Sequence, residues 1–145
     1  MSVPPPPGYR ALCPYIAVPE AEAVLAFAED VFGATLPKPP LRSGTGRLVN
    51  AVVEIGDGMV LLAAPQDGTM RQTAMLHVYV AECDATFDAA LAAGAEEMMA
   101  PTNQFYGDRA ALVRDMGANL WWIATRVEDI GADEMQRRTV EAKPT

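Results

Sequence analysis

Laid over itself with a shift of 62 residues, the chain matches: YIAVPEAEA (15–23) falls on HVYVAECDA (77–85), setting Val18 on Val80, Glu20 on Glu82 and Ala23 on Ala85. A shift of 61 then takes over and pairs Gly33 with Gly94, Ala34 with Ala95, Glu54 with Asp115, Gly56 with Gly117 and Ala63 with Ala124. An internal repeat of this kind means one supersecondary unit built twice, which constrains the fold more than any local pattern does.

Each half opens on a short strand rich in Tyr, Val and Ile, near Cys13 to Val18 and near Met75 to Val80. A helix comes directly after it. In PEAEAVLAFAEDVFGA the apolar residues Ala21, Val24, Leu25, Ala28, Val31 and Phe32 recur at three- and four-residue steps, and Gly33 supplies the stop. The second copy, AECDATFDAALAAGA, ends the same way at Gly94. Extended segments come next: RLVNAVVEIGDGMVLLAAP reads as a hairpin turning at Gly56 to Gly58, and DRAALVRDMGANLWWIATRV as its counterpart turning at Gly117 to Asn119. The Pro-rich LPKPPLRSGTGR (36–47) obscures the second strand of the first half and reads as a loop or a Pro-limited edge.

The chain thus divides into a Pro-rich arm (1–8), a first βαβββ module (9–67), a second (68–127) and a C-terminal helix and tail (128–145). The fold class is α+β. The terminal helix is expected near Ala132 to Arg138, acidic at its start and basic at its end as the helix dipole favours, with frayed last residues. Prolines 4 to 7 carry no N–H donor, so the arm is expected to be extended.

At 145 residues the chain can bury a full core without disulfides or a structural metal. Its net charge of -8 repels polyanions, so nucleic acid is not an expected partner. No apolar run approaches the ~20 residues needed to span a bilayer, and MSVPPPPGYR has neither a cationic start nor an apolar core. No membrane partner is expected, and a cytoplasmic location is. Cys13 and Cys83 are too few for a disulfide scaffold and form no C-x-x-C pair.

The order of these segments resembles the glyoxalase, bleomycin-resistance and extradiol-dioxygenase superfamily, the vicinal oxygen chelate fold, and within it a glyoxalase-like bacterial branch related to a phosphonate-cluster gene product. GYRALCPYIAV, the helix ending in FGA, LHVYV, NQFYGDRAALVRDMGANLWWIATRVED and EMQRR carry the resemblance from Gly8 to about Arg138. It implies curved sheets with helices outside and a cleft between modules. In enzymatic members a divalent metal sits there, held from the first and last strands of each module. Transferred residue by residue, those positions fall on Cys13, Leu61, Met75 and Trp122. Of these only the thiol is a ligand, and hard cations prefer oxygen and imidazole. No metal or other cofactor is therefore expected. A relocated site on His77, Cys13 and Glu54 would need Glu54 to turn inward from another strand.

His77, the chain's one histidine, shares a strand face with Met75 and Tyr79, roughly 6.6 Å beyond the implied ligand position. Its repeat mate is Tyr15. Alternation sends Trp122 to the cleft and Trp121 against the helices, so Tyr15, Tyr79, Phe105, Tyr106 and Trp122 either form an aromatic wall or fill an ordinary core. In the loop PTNQFYGDRAA, Gln104, Tyr106, Asp108 and Arg109 cluster beside a glycine. Arg109 is either an anion anchor or a brace paired with Asp108. The expected protein binds an apolar or aromatic small molecule in the cleft between its modules, at Tyr15, His77, Tyr79, Gln104, Phe105, Tyr106, Arg109 and Trp122, without a metal, as a homodimer. Bleomycin-resistance-like sequestration is the form the resemblance suggests. The alternative is a lyase, isomerase or dioxygenase using a relocated metal or His77 as general base. Whether the modules pair within one chain or exchange across a dimer stays open.

Overall fold

The computed structural model describes residues 2–142. The first module runs β1 (Tyr15–Ala17), α1 (Ala21–Phe32), β2 (Leu41–Arg42), β3 (Leu48–Ile55) and β4 (Gly58–Ala63). The second repeats it as β5 (Met75–Tyr79), α2 (Cys83–Ala92), β6 (Glu96–Asn103), β7 (Asp108–Arg114) and β8 (Leu120–Arg126), and α3 (Ala132–Glu141) closes the chain. Each module is one four-stranded sheet, ordered β1-β4-β3-β2 and β5-β8-β7-β6. In both, the first strand crosses over its helix to lie parallel beside the last, while the other pairs are antiparallel. The α+β class and the duplicated βαβββ plan are as the repeat requires.

Departures from the sequence reading are local. β1 spans Tyr15–Ala17, so Cys13 lies ahead of it, its thiol donating to the Arg10 carbonyl at 3.0 Å. The Pro-rich segment yields a two-residue β2 with a register shift, because proline cannot donate to a ladder. The helix α3 runs three residues past Arg138, to Glu141. The fraying expected at the C-terminus concerns 143–145, which lie outside the described residues. The hairpins also differ in length. Glu54 faces Met59 across the first, whereas Arg114 faces Leu120 across the second. Since 120 − 59 = 61 but 114 − 54 = 60, the structural counterpart of Glu54 is Arg114 and not Asp115.

Two apolar clusters fill the space between sheets and helices. Ile16, Val18, Val24, Ala51, Val53 and Leu62 lead the first; Phe87, Ala111, Val113, Trp121 and Ile123 lead the second. Helix α1 serves both. Its Val24 packs in the first cluster, while Phe27 and Phe32 meet the Trp121 ring at centroid distances of 5.8 and 4.9 Å, the latter stacked. The β7–β8 turn presses against the same helix: a Cβ at Gly117 would lie 2.8 Å from Val24 Cγ2, so only glycine fits this contact between modules.

That turn is held from inside by Asp115, 5% exposed. Its carboxylate accepts from the backbone N–H of Gly117 (2.8 Å) and Asn119 (3.0 Å), from Asn119 Nδ2 (3.1 Å) and from Trp121 Nε1 (2.8 Å). Asn119 Oδ1 in turn accepts from the Ala74 N–H at 3.0 Å, which sets the start of β5. Removing the carboxylate orphans several buried donors at once, each costing about 1–3 kcal/mol. Asp115→Ala is expected to lower stability by about 3 kcal/mol in urea unfolding; a loss below about 1 kcal/mol would show that the turn stands without it.

Candidate functional site

Alternation along β7 and β8 buries Ala111, Val113, Trp121 and Ile123 beneath α2. Their neighbours therefore occupy the opposite, helix-free face. Register groups that face into rows across β7, β8 and β5: Arg114, Leu120, Met75; then Leu112, Trp122, His77; then Ala110, Ala124, Tyr79. Asp108 and Arg126 make a fourth row. His77 is thus the direct lateral neighbour of Trp122, and its ring sits 4.9 Å from that of Tyr79, edge on. Met75 and Tyr79 are each 60% exposed, and Trp122 is half-buried. The expected alternation of the tryptophan pair is present, with Trp121 buried under the helices and Trp122 on the other face, but the cavity between the modules is lined by Trp121 and not by Trp122.

One end of this face is polar and organised. Asp108, 2% exposed, accepts from the Tyr79 hydroxyl at 2.8 Å and lies 3.4 Å from Arg126 Nη1. That hydrogen bond, with the carboxylate charge behind it, pushes the Tyr79 phenol above its ordinary pKa, and burial does the same for Tyr106. The β6–β7 connection sits beside them. Gln104 bonds the Asp108 carbonyl through its N–H at 2.7 Å, Phe105 and Tyr106 stack edge to face at 5.3 Å, and the Tyr106 carbonyl accepts from Arg126 at 2.7 Å.

Two expected site residues fall elsewhere. Arg109 is the strand neighbour of Asp108, so alternation turns it to the opposite face, where its guanidinium grips Asp84 of α2 in a fork of 2.6 and 2.9 Å. This interaction holds Asp84 below the usual carboxylate range. Arg109 braces the helix, with Asp84 rather than Asp108 as partner. Tyr15, 48% exposed, lies on the first sheet opposite Leu61, in a shallow hollow with Arg47, Val49 and Met70. The cavity between modules within one chain, 590 Å³, runs along the outer edge of β5 beneath the β3–β4 hairpin and touches His77, Tyr79, Phe32 and Trp121. Neither Tyr15 nor Trp122 lines it.

Part of the first sheet's helix-free face, around Asn50 and Val52, is covered by the chain itself. The Tyr9 hydroxyl accepts from Asn50 Nδ2 at 2.6 Å, and Lys38 Nζ stands 5.1 Å above its ring. Gly8, at φ +89, lies so close that a Cβ there would be 2.8 Å from Pro37 and 3.2 Å from Val52. Val52 is 1% exposed and Leu61 7%, whereas their counterparts Leu112 and Trp122 stay half-open. The sequence reading of the arm as merely extended missed this contact; the lone Tyr9 after four prolines was its only trace.

The residues at the implied metal positions do not fit a divalent ion. Cys13 is engaged with the Arg10 backbone, and Leu61, Met75 and Trp122 offer no hard donor. Among the described residues no three of His, Cys, Asp and Glu converge, so the relocated set of His77, Cys13 and Glu54 is not assembled. Nor does a carboxylate hydrogen-bond to His77 to orient it as a base among the described residues, the arrangement general-base catalysis relies on.

Paired βαβββ modules, each sheet backed by its helix, define a vicinal oxygen chelate fold. The description "Glyoxalase/Bleomycin resistance protein/Dioxygenase superfamily" matches residues 11–123, and the chain belongs to that superfamily. An uncharacterized Mycobacterium bovis protein is 30% identical over 141 residues, covering 87% of this chain and 90% of its own. TioX from Micromonospora sp. ML1 shares the fold at a TM-score of 0.65 and 22% identity, over 82% of this chain and 100% of its own. So does the fosfomycin resistance protein FosX from Listeria monocytogenes, at 0.61 and 15%, over 88% and 98%. No helix among the described residues is long and apolar enough to cross a membrane.

Because Tyr79 donates to Asp108, its neutral form is favoured in the folded state. The stability this contributes is complete below the unfolded phenol's pKa of about 10 and is lost as pH rises through the higher folded value. Ultraviolet titration of the chain against Tyr79→Phe should show that the phenol removed by the substitution ionises above the ordinary tyrosine range. Four phenols titrating together would contradict the assignment.

Proposed function

We propose that this protein binds a small apolar or aromatic molecule on the helix-free face of its second sheet, without a metal, as a cytoplasmic homodimer. In this reading a second copy closes over the face and the guest is sequestered rather than transformed. The observation that carries it is the row Leu112, Trp122, His77, flanked by Met75 and Tyr79, both 60% exposed, and by Met98, 42% exposed. A contiguous apolar patch of this kind on a soluble chain marks a binding surface. Flat rings suit it, since Trp122 and His77 present aromatic faces while Tyr79 and the Asp108 end supply a few fixed polar groups. Adaptable methionine side chains at its border favour tolerance of varied guests. The drug-resistance name of FosX is compatible with such a role.

The dimer rests on the same geometry. Within one chain Tyr15 lies in one hollow and His77 and Tyr79 in another, and part of the first sheet's helix-free face is taken up by Tyr9. Symmetric dimers are the commonest oligomers, and an exposed apolar face is what such an interface buries. Sedimentation equilibrium is expected to give twice the mass of 15.5 kDa.

A thermal-shift screen of aromatic acids, amines and antibiotics tests the binding claim, a ligand at ~100 times its Kd adding about 2.7 kcal/mol of stability. His77→Ala should change stability by less than about 1 kcal/mol and weaken a hit about tenfold. Intact binding with a loss of several kcal/mol would make His77 a packing residue and refute its role on this face.

A further inference from the structure

Among the described residues, the helix-free face of the second sheet carries one arginine that donates no hydrogen bond to an oxygen. Every other described arginine donates at least one hydrogen bond to an oxygen; Arg109 is bound to Asp84 and Arg126 to the Tyr106 carbonyl. Arg114 does not. Its Nη2 lies 3.2 Å from the Met98 thioether, and its Nε is shut from solvent with no hydrogen-bond partner. The nearest carboxylate oxygen, on Glu96, is 3.5 Å from that Nε and belongs to a side chain that is 67% exposed. An exposed pair at this distance contributes little. A thioether is a weak acceptor for a guanidinium that can fork onto two oxygens.

Position makes this more than an unsatisfied side chain. Arg114 heads the row next to the one that holds Trp122 and His77, one strand and one row from Trp122. Diagonal neighbours on a sheet face stand about 7–8 Å apart, within reach of long side chains. A ring system lying over Trp122 and His77 would therefore bring a carboxylate attached directly, or through one or two carbons, to the guanidinium. The opposite end of the face is finished differently, with Asp108 already satisfied by Tyr79 and Arg126.

We propose that Arg114 is the anion-binding residue of this face and that the guest is an aromatic carboxylate, its ring on Trp122 and His77 and its charge on Arg114. This rests on the reading of the face as a small-molecule site and adds the ligand's chemical class. The net charge of -8 opposes the approach of an anion at long range, but that field is screened over roughly 8 Å at physiological salt, leaving the local guanidinium to decide.

Calorimetric titration of the full chain with 2-naphthoate, its neutral amide 2-naphthamide and the cation 2-naphthylmethylammonium is the test. The expected order is carboxylate about tenfold tighter than amide, with the cation weakest. In Arg114→Gln, with unfolding midpoint unchanged, the carboxylate should fall to the affinity of the amide while the amide itself is unaffected. Glu96→Gln should tighten the carboxylate, because it removes the competing acid. Trp122→Ala should weaken carboxylate and amide alike. If amide and carboxylate bind equally, or Arg114→Gln weakens both or neither, the proposal is overturned while the binding face stands. If none of the three probes binds, or Trp122→Ala leaves binding intact, the face itself is misassigned and both readings fall.

Discussion

Trp121 joins the two modules. Its ring stacks on Phe32 and tilts against Phe27, both from the first module's helix, while its Nε1 donates to Asp115 in the second module's own turn. A fully buried indole combines large apolar area with one polar atom that must be satisfied, and here both requirements are met by fixed neighbours. With Trp121 held in this way, the pleat orients the residues beside it. Trp122 can only point to the other side, and parallel pairing with β5 places His77 next to it.

From that constraint comes an asymmetry between two halves that the sequence writes in parallel. Where the first sheet has Val52, covered by Gly8, and Leu61, also buried, the second has Leu112 and Trp122 left half-open. At the end of the same face the first sheet has Glu54 and the second Arg114. The repeat supplies two equivalent surfaces; one is partly covered by the Gly8–Tyr9 segment, and the other keeps open aromatic rings and an underused cation. Divergence of this sort is how one fold carries different sites without changing its core.

Much of the architecture was legible because it rests on periodicity. The repeat, the helix stops at Gly33 and Gly94 and the alternation at Trp121 and Trp122 are read from spacing alone, and the family resemblance agreed with them. The features that escaped depended on register or on contacts between distant segments. One extra residue in the second hairpin shifted the counterpart of Glu54 from Asp115 to Arg114, which hid the arginine on the helix-free face. Arg109 looked like an anion anchor because loop residues were counted together, yet β7 begins at Asp108 and alternation already governs its neighbour. The Asp115 network and the Tyr9 contact involve local turn chemistry and a terminal arm, for which hydrophobic pattern gives no signal. His77 and its repeat mate Tyr15 line different hollows within one chain, because pseudo-symmetric positions need not meet there.

The central claim is that a guest settles on Trp122 and leaves Trp121 untouched. The two indole N–H groups of the chain can be tracked separately by nitrogen-15 nuclear magnetic resonance, assigned through Trp121→Phe and Trp122→Phe. During titration with 2-naphthoate the account predicts that the Trp122 signal moves progressively to saturation while the Trp121 signal, hydrogen-bonded to Asp115, stays in place. Movement of the Trp121 signal with Trp122 stationary would put the guest in the inter-module cavity along β5 and contradict the account.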